Sequence, residues 1–72
     1  MKIEYDPDAD AMYIRFKKGE IDRTQKIDKN TLIDLDKEGH LLGVEFLFVK
    51  ETNPELLKIQ ANNLLQTNFS AV

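Results

Sequence analysis

The fold of this 72-residue chain depends most on the stretch Leu41-Leu42-Gly43-Val44-Glu45-Phe46-Leu47-Phe48-Val49. Side chains alternate along a strand, so the even-numbered positions 42–48 form one apolar face. The other face carries Leu41, Leu47 and Val49 beside Glu45. We therefore predict a final strand that is apolar on both sides.

Shorter alternating runs precede this stretch, and turn-forming residues separate them. The runs lie at 2–5, 11–16, 21–27 and 31–36, and the turns at 6–10, 17–20, 28–30 and 36–39. Alternation bounded by Gly, Pro, Asn and Asp is typical of strands joined by hairpins. The sequence predicts an antiparallel meander of about five short strands.

The pattern changes to helical after residue 51. Thr52 and Glu55 have the spacing of a capping box, and Pro54 suits a first helical turn. Apolar residues then recur at helical spacing at Leu57, Ala61, Leu64 and Leu65. We predict one C-terminal helix at about 54–66 packed on the sheet, and no regular structure in the tail 67–72. The chain is thus expected to be a single α+β domain over 1–72, with the sheet at about 2–49.

Composition excludes several classes of function. The chain has 10 basic and 13 acidic residues and no cysteine, so we predict no nucleic-acid binding, no disulfide and no thiolate metal site. The longest apolar stretch is interrupted by Glu45 and is far shorter than the roughly 20 residues of a membrane span. We expect a cytoplasmic protein with no membrane segment and no cofactor.

Acidic residues in the first turn resemble the start of a calcium loop. Asp6, Asp8 and Asp10 have the alternate spacing, but Ala11 and Lys17 stand where such a loop needs glycine and glutamate. A hydrogen-bonded turn is the favoured interpretation, and a metal site is the alternative.

Catalytic groups are sparse in the rest of the chain. His40 follows a turn glycine and has no second histidine or cysteine with which to form a site. Asp34 and Asp36 share one strand face, as alternating polar residues on a solvated face also do. We therefore predict that the protein is not an enzyme.

The sequence favours an interaction surface instead. In a meander the final strand lies at the edge of the sheet, where an apolar strand needs a cover. A second copy or another protein would cover the face of Leu41, Leu47 and Val49, although a central position for this strand is the alternative. Tyr13 and Arg15 point outward from the second strand and are residue types enriched in interfaces.

One segment also carries a family resemblance. Tyr5-Asp6-Pro7-Asp8-Ala9-Asp10-Ala11-Met12-Tyr13-Ile14 resembles the opening of a widespread family of small prokaryotic proteins known only as a domain of unknown function. The resemblance extends through residues 33–36, Gly39 and residues 42–45, and covers roughly residues 2 to 50. It implies a compact sheet domain with no assigned activity or catalytic residues. Some members are encoded beside small toxin-like proteins, which implies an antitoxin-type role.

These observations lead to three hypotheses. The first is a noncatalytic protein-interaction module that forms a homodimer. The second is an antitoxin-like partner whose acidic balance complements a small basic toxin. The third is a small metal-binding protein or enzyme that uses the Asp-rich turn or His40.

Overall fold

The structure is a computed structural model that describes residues 1–63, with side chains described through residue 59. It contains one antiparallel sheet of five strands followed by two short helices. The strands are β1 (Lys2–Asp6), β2 (Ala11–Arg15), β3 (Arg23–Asp28), β4 (Thr31–Leu35) and β5 (Leu41–Leu47), and the helices are α1 (Val49–Thr52) and α2 (Glu55–Asn63). The α+β class and the antiparallel sheet are confirmed.

The order of the strands differs from the predicted meander. It is β1-β2-β5-β4-β3, so β5 is central and β3 lies at an edge. The prediction that the last strand forms the edge is therefore wrong. Burial explains the order. A strand that is apolar on both sides is best shielded from water when it has a neighbouring strand on each side, whereas β3, whose six residues are all exposed, tolerates an edge position.

The connection from β2 to β3 makes this order possible. Residues 16–22 cross the ends of β5 and β4, and the N–H groups of Phe16 and Asp22 donate to the carbonyls of Leu42 and Leu35 at 2.9 and 2.8 Å. Gly19 lies against the Leu42 side chain, which is only 2% exposed. The crossing segment therefore closes one end of the core.

The register of the strands places side chains in rows across the sheet. The face that carries the core cluster, here called the helix-side face, contains two complete rows: Ile3, Ile14, Val44, Ile33 and Gln25, and Tyr5, Met12, Phe46, Thr31 and Asp28. The core cluster of this face consists of buried Ile3, Met12 and Val49. Tyr5, Ile14, Phe46, Leu56 and Leu57 pack against the cluster.

The end of β5 differs from the prediction because of the backbone at Phe48. Phe48 has a left-handed φ of 54°, which ends the strand at Leu47 and starts α1 at Val49. Such a φ is unusual for a bulky residue, so tertiary contacts must hold it. Val49 is fully buried as a result, instead of lying on a strand face.

The C-terminal region forms two helices rather than the single one predicted. Thr52 belongs to α1, and its hydroxyl donates to the carbonyl of Phe48 at 2.8 Å, so it does not cap a helix beginning at residue 54. Asn53 leaves helical geometry and separates α1 from α2. The predicted contacts of Ala61, Leu64 and Leu65, the helix end at 66 and the tail 67–72 lie outside the described side chains.

Candidate interaction surface

The second face of the sheet, here called the open face, is mixed in character. Its three rows are Lys2, Arg15, Gly43, Asp34 and Thr24; Glu4, Tyr13, Glu45, Leu32 and Lys26; and Asp6, Ala11 and Leu47. The apolar side chains of α1 and α2 that join the core cluster pack on the opposite face. Within the described part of the chain, the open face is thus the side of the sheet without a helix.

A side-chain network runs across the open face and joins three strands. The Tyr13 hydroxyl on β2 donates to Asp34 Oδ2 on β4 at 2.8 Å. The Thr24 hydroxyl on β3 donates to Asp34 Oδ1 at 2.6 Å. Both carboxylate oxygens of Asp34 are therefore engaged, and the Tyr13 side chain is fixed at its hydroxyl end.

Gly43 on β5 is the residue that allows Tyr13 to reach Asp34. Gly43 pairs with Arg15 on one side and with Asp34 on the other, so it lies between β2 and β4. A Cβ at this position would collide with the Tyr13 hydroxyl. The glycine therefore leaves the space in which the tyrosine side chain lies across the central strand.

The surroundings of Tyr13 favour its neutral form. Partial burial, followed by the hydrogen bond to Asp34 and the negative charge of that carboxylate, raises the pKa of the Tyr13 hydroxyl. Arg15 opposes the shift, and its guanidinium carbon lies 6.0 Å from the centre of the tyrosine ring. At neutral pH this part of the face offers a neutral, fixed aromatic ring beside an exposed cation.

The structure separates the five predicted interaction residues. Tyr13, Arg15 and Leu47 lie in the rows of the open face. Leu41 lies beside an irregularity of the β4–β5 pairing and is 42% exposed. Val49 is buried in the core cluster and is not part of the surface.

Sequence reasoning missed Asp34, Thr24 and Gly43 as parts of this surface. The sequence indicates Asp34 only as a catalytic or solvated carboxylate, and Thr24 only as part of the alternating run at 21–27. The available signal was Gly43, since glycine inside an apolar strand often marks the close approach of another group. The hydrogen bonds of Asp34 span 21 and 10 residues of sequence, so local patterns do not contain them.

The acidic first turn is held by hydrogen bonds, as predicted. Asp6 Oδ1 accepts the N–H groups of Asp8 and Ala9 at 3.0 and 3.4 Å. Asp10 adopts a φ of 53°, and its carboxylate accepts the hydroxyl of Tyr5 at 2.6 Å. That hydrogen bond is the largest cause that raises the pKa of Tyr5 to about 12.

Asp10 also connects this turn to α1. Its carbonyl accepts the N–H of Val49 at 3.1 Å, and both carboxylate oxygens lie 3.2 Å from the N–H of Lys50. Phe48, at the N-cap, makes no side-chain capping bond, so Asp10 supplies the cap from the other end of the chain. We call Tyr5, Asp10 and the N–H groups of Val49 and Lys50 the Asp10 latch.

His40 lies in an acidic turn at the end of β4. Asp36 Oδ1 accepts the N–H groups of Glu38 and His40, and its Oδ2 is 3.1 Å from His40 Nδ1. The backbone hydrogen bond from His40 is the largest cause that lowers the pKa of Asp36. Asp36, Glu38 and His40 bring one possible metal ligand each within 4.8 Å of one another, and Glu38 and His40 are exposed. The hydrogen bonds of Asp36 account for the shape of this turn.

A groove runs beside the acidic turn. It has a volume of about 330 Å³ and is lined by the crossing segment and the turn, at residues Glu20, Ile21, Asp22, Asp36, Lys37 and Glu38. Four of these side chains are carboxylates, so the groove is acidic.

A comparison with protein families identifies the domain. The model of the family described as Protein of unknown function (DUF2283) matches residues 2–50. The chain belongs to this family. No curated protein and no solved structure matches the chain.

The matched region of the DUF2283 family contains the whole sheet. It ends within α1, so it includes the open face and the residues of the Asp10 latch. α2 lies beyond it. None of the helices in the described part of the chain is long and apolar enough to cross a membrane.

Proposed function

We propose that this DUF2283 protein is a noncatalytic interaction module that self-associates through the open face. The observation that supports it is the hydrogen-bonded network of Tyr13, Asp34 and Thr24, which fixes an aromatic residue at the middle of a sheet face. A fixed aromatic side chain loses little conformational entropy on binding, and Tyr and Arg are the residue types enriched at interface hot spots.

The small core gives a physical reason for association. The buried apolar residues of the described region are Ile3, Met12, Leu35, Leu42 and Val49. A domain of this size buries only about 60% of its unfolded surface, so burial against a second chain adds stability that one core cannot supply.

The central position of β5 changes the surface on which this proposal rests. β5 has neighbours on both sides, so it does not offer an unpaired apolar edge. The open face replaces that edge: Leu47 lies on β5, Tyr13 and Leu32 lie on the two neighbouring strands, and Glu45 on β5 lies between Tyr13 and Leu32. Aromatic and apolar residues near the centre with charged residues toward the edges are the usual organisation of an interface, and Glu45 is the exception on this face.

Sedimentation equilibrium from low micromolar to millimolar concentration tests the proposal. We expect a reversible increase in mass with concentration. Arg15→Glu places a carboxylate beside Tyr13 and should weaken this association, whereas Lys18→Glu, the same charge change in the exposed crossing segment, should not. A wild-type protein that stays monomeric over the whole range would refute self-association.

An antitoxin-like role is a second candidate, and the acidic groove supports it. Glu20, Asp22, Asp36 and Glu38 concentrate negative charge at one end of the sheet, and the chain has an isoelectric point of about 5.0. Charge complementarity to a small basic protein would speed association and aid specificity.

Co-expression with a small basic protein encoded beside this chain tests the second candidate. We expect relief of that protein's toxicity and co-purification of the pair, both lost in the Glu20→Lys/Glu38→Lys variant. Glu51→Lys/Glu55→Lys makes the same charge change away from the groove and serves as the control. Absence of co-purification with the wild-type chain would contradict this role.

A further inference from the structure

We infer that the second copy docks face to face on the open face, related to the first by a twofold axis parallel to β5. This inference rests on the proposed self-association and specifies its geometry. The rows of the open face determine which residues would meet in such a dimer, because each residue has a defined strand and a defined height along it.

Rotation about an axis along β5 keeps each row at its height and exchanges the two sides of the sheet. β2 of one copy then lies opposite β4 of the other, and β1 opposite β3, because β5 is the middle strand. Isologous pairing of this kind repeats every contact twice, except for contacts on the axis itself.

Charges match in this arrangement. Arg15 and Asp34 occupy the same row on β2 and β4, so Arg15 of each copy lies opposite Asp34 of the other. Glu4 and Lys26 occupy the next open-face row on β1 and β3, so they also lie opposite each other across the interface. Both pairs occur twice in the dimer.

The centre of the interface is apolar except at one residue. In backbone position Tyr13 lies opposite Leu32 of the second copy, since both belong to the row of Glu45, and the Tyr13 side chain extends from there over Gly43. Leu47 on β5 lies opposite its own counterpart. Glu45 also lies on the axis and faces a second Glu45, which is the one unfavourable charge contact of the arrangement.

The other in-plane axis gives a poorer match. A twofold axis perpendicular to the strands through the row of Glu45 would place every strand opposite its own copy. Glu4, Lys26 and Glu45 would then each face an identical charge, and Lys2 opposite Asp6 would be the compensating pair. Like charges placed opposite each other are unfavourable, so charge selects the axis parallel to β5.

The size of the face limits the strength of the dimer. Five strands spaced about 4.8 Å apart and rows covering about 17 Å along each strand give roughly 400 Å² per copy. Stable interfaces bury about 800 Å² per partner, so the dimer should have a dissociation constant in the micromolar range or weaker. Aligned sheets cross at about 30°, an offset that the long Arg, Lys and Glu side chains can span.

A charge-swap experiment on Glu4 and Lys26 tests the geometry. Both residues are exposed, and neither is needed by the network of Tyr13. Glu4→Lys and Lys26→Glu should each weaken dimerisation about tenfold, because each replaces two attractive pairs by two repulsive ones. The double variant Glu4→Lys/Lys26→Glu should restore the wild-type dissociation constant. Lys29→Glu, in the exposed turn before β4, is the single-charge control and should have little effect.

Glu45→Gln provides an independent measurement on the axis itself. It removes the facing carboxylates and should tighten the dimer several-fold in sedimentation equilibrium, an effect that a loss of folding cannot imitate. A dimer that forms but shows no restoration in the double variant would overturn the twofold geometry while leaving self-association intact. An unchanged or weaker dimer in Glu45→Gln would also overturn the geometry, and a monomeric wild type would refute both proposals.

Discussion

Replacing Gly43 with alanine would place a methyl group where the Tyr13 hydroxyl lies. The tyrosine must then move away and lose its 2.8 Å hydrogen bond to Asp34. A hydrogen bond to a charged acceptor contributes about 1.5–3 kcal/mol, and the partial exposure of this one places it at the lower end. Alanine in place of glycine recovers about 0.4–1 kcal/mol by restricting the unfolded chain. We expect a net loss of about 1 kcal/mol in the free energy of unfolding.

Urea denaturation of the wild type, Gly43→Ala, Tyr13→Ala and the double variant isolates the cause of this loss. In the Tyr13→Ala background the obstructing side chain is gone and the nearest remaining atom to the new methyl group is the carbonyl oxygen of Ile14 at 3.0 Å, so Gly43→Ala should cost much less there. The cost of Gly43→Ala should therefore fall clearly between the two backgrounds, a coupling that neighbouring residues show. Gly43→Ala with wild-type stability, or with the same cost in both backgrounds, would refute the role assigned to the glycine.

Three further predictions concern the first turn. Asp10→Ala removes the acceptor of Tyr5 and the cap of α1, so it should lower the free energy of unfolding by about 1–2 kcal/mol in urea denaturation. Asp8→Ala, at an exposed position of the same turn, should change it by less than about 0.5 kcal/mol. Equal effects of the two variants would contradict the Asp10 latch. The pKa of Tyr5 is raised in the folded state, so the stability that this hydroxyl contributes is present below pH 10 and is lost between about pH 10 and 12. The loss should be smaller in Tyr5→Phe, and identical pH profiles of unfolding would count against the hydrogen bond. Calcium should leave the melting temperature unchanged, because Asp6 and Asp10 already accept hydrogen bonds within the protein; a rise that scales with calcium concentration would restore the metal hypothesis.

The local sequence pattern predicted where the strands lie in the chain but not which strands are neighbours in the sheet. Alternation located all five strands within a few residues, because the pleat imposes a period of two on any half-buried strand. It did not identify which strands pair, since the β2–β5 pairing joins residues about 30 positions apart. The apolar character of both faces of residues 41–47 was the available evidence for a central strand. The prediction instead placed this strand at the edge of the sheet, covered by another chain.

The differences between prediction and structure at Phe48 and on the open face have the same origin. The left-handed backbone of Phe48 follows a strand-like sequence, and the bonds from Val49 and Lys50 to Asp10 accompany it. Tyr13 and Arg15 were predicted to point outward, but the link from Tyr13 to Asp34 depends on β5 lying between their strands. Both features require the tertiary arrangement, which sequence periodicity does not encode.

The crossing segment at residues 16–22 also has a consequence for the order in which the protein folds. β1 and β2 can pair as soon as they are synthesised, but the inner edge of β2 stays without its neighbour until β5 has been made. β3, β4 and β5 are consecutive and pair through local contacts, so we expect the final step to join two preformed pieces along β2 and β5. Asp10 then receives the first N–H groups of α1, which fastens the junction on the side opposite the crossing segment. A chain that stops at residue 40 would hold two separate hairpins and no strand to join them.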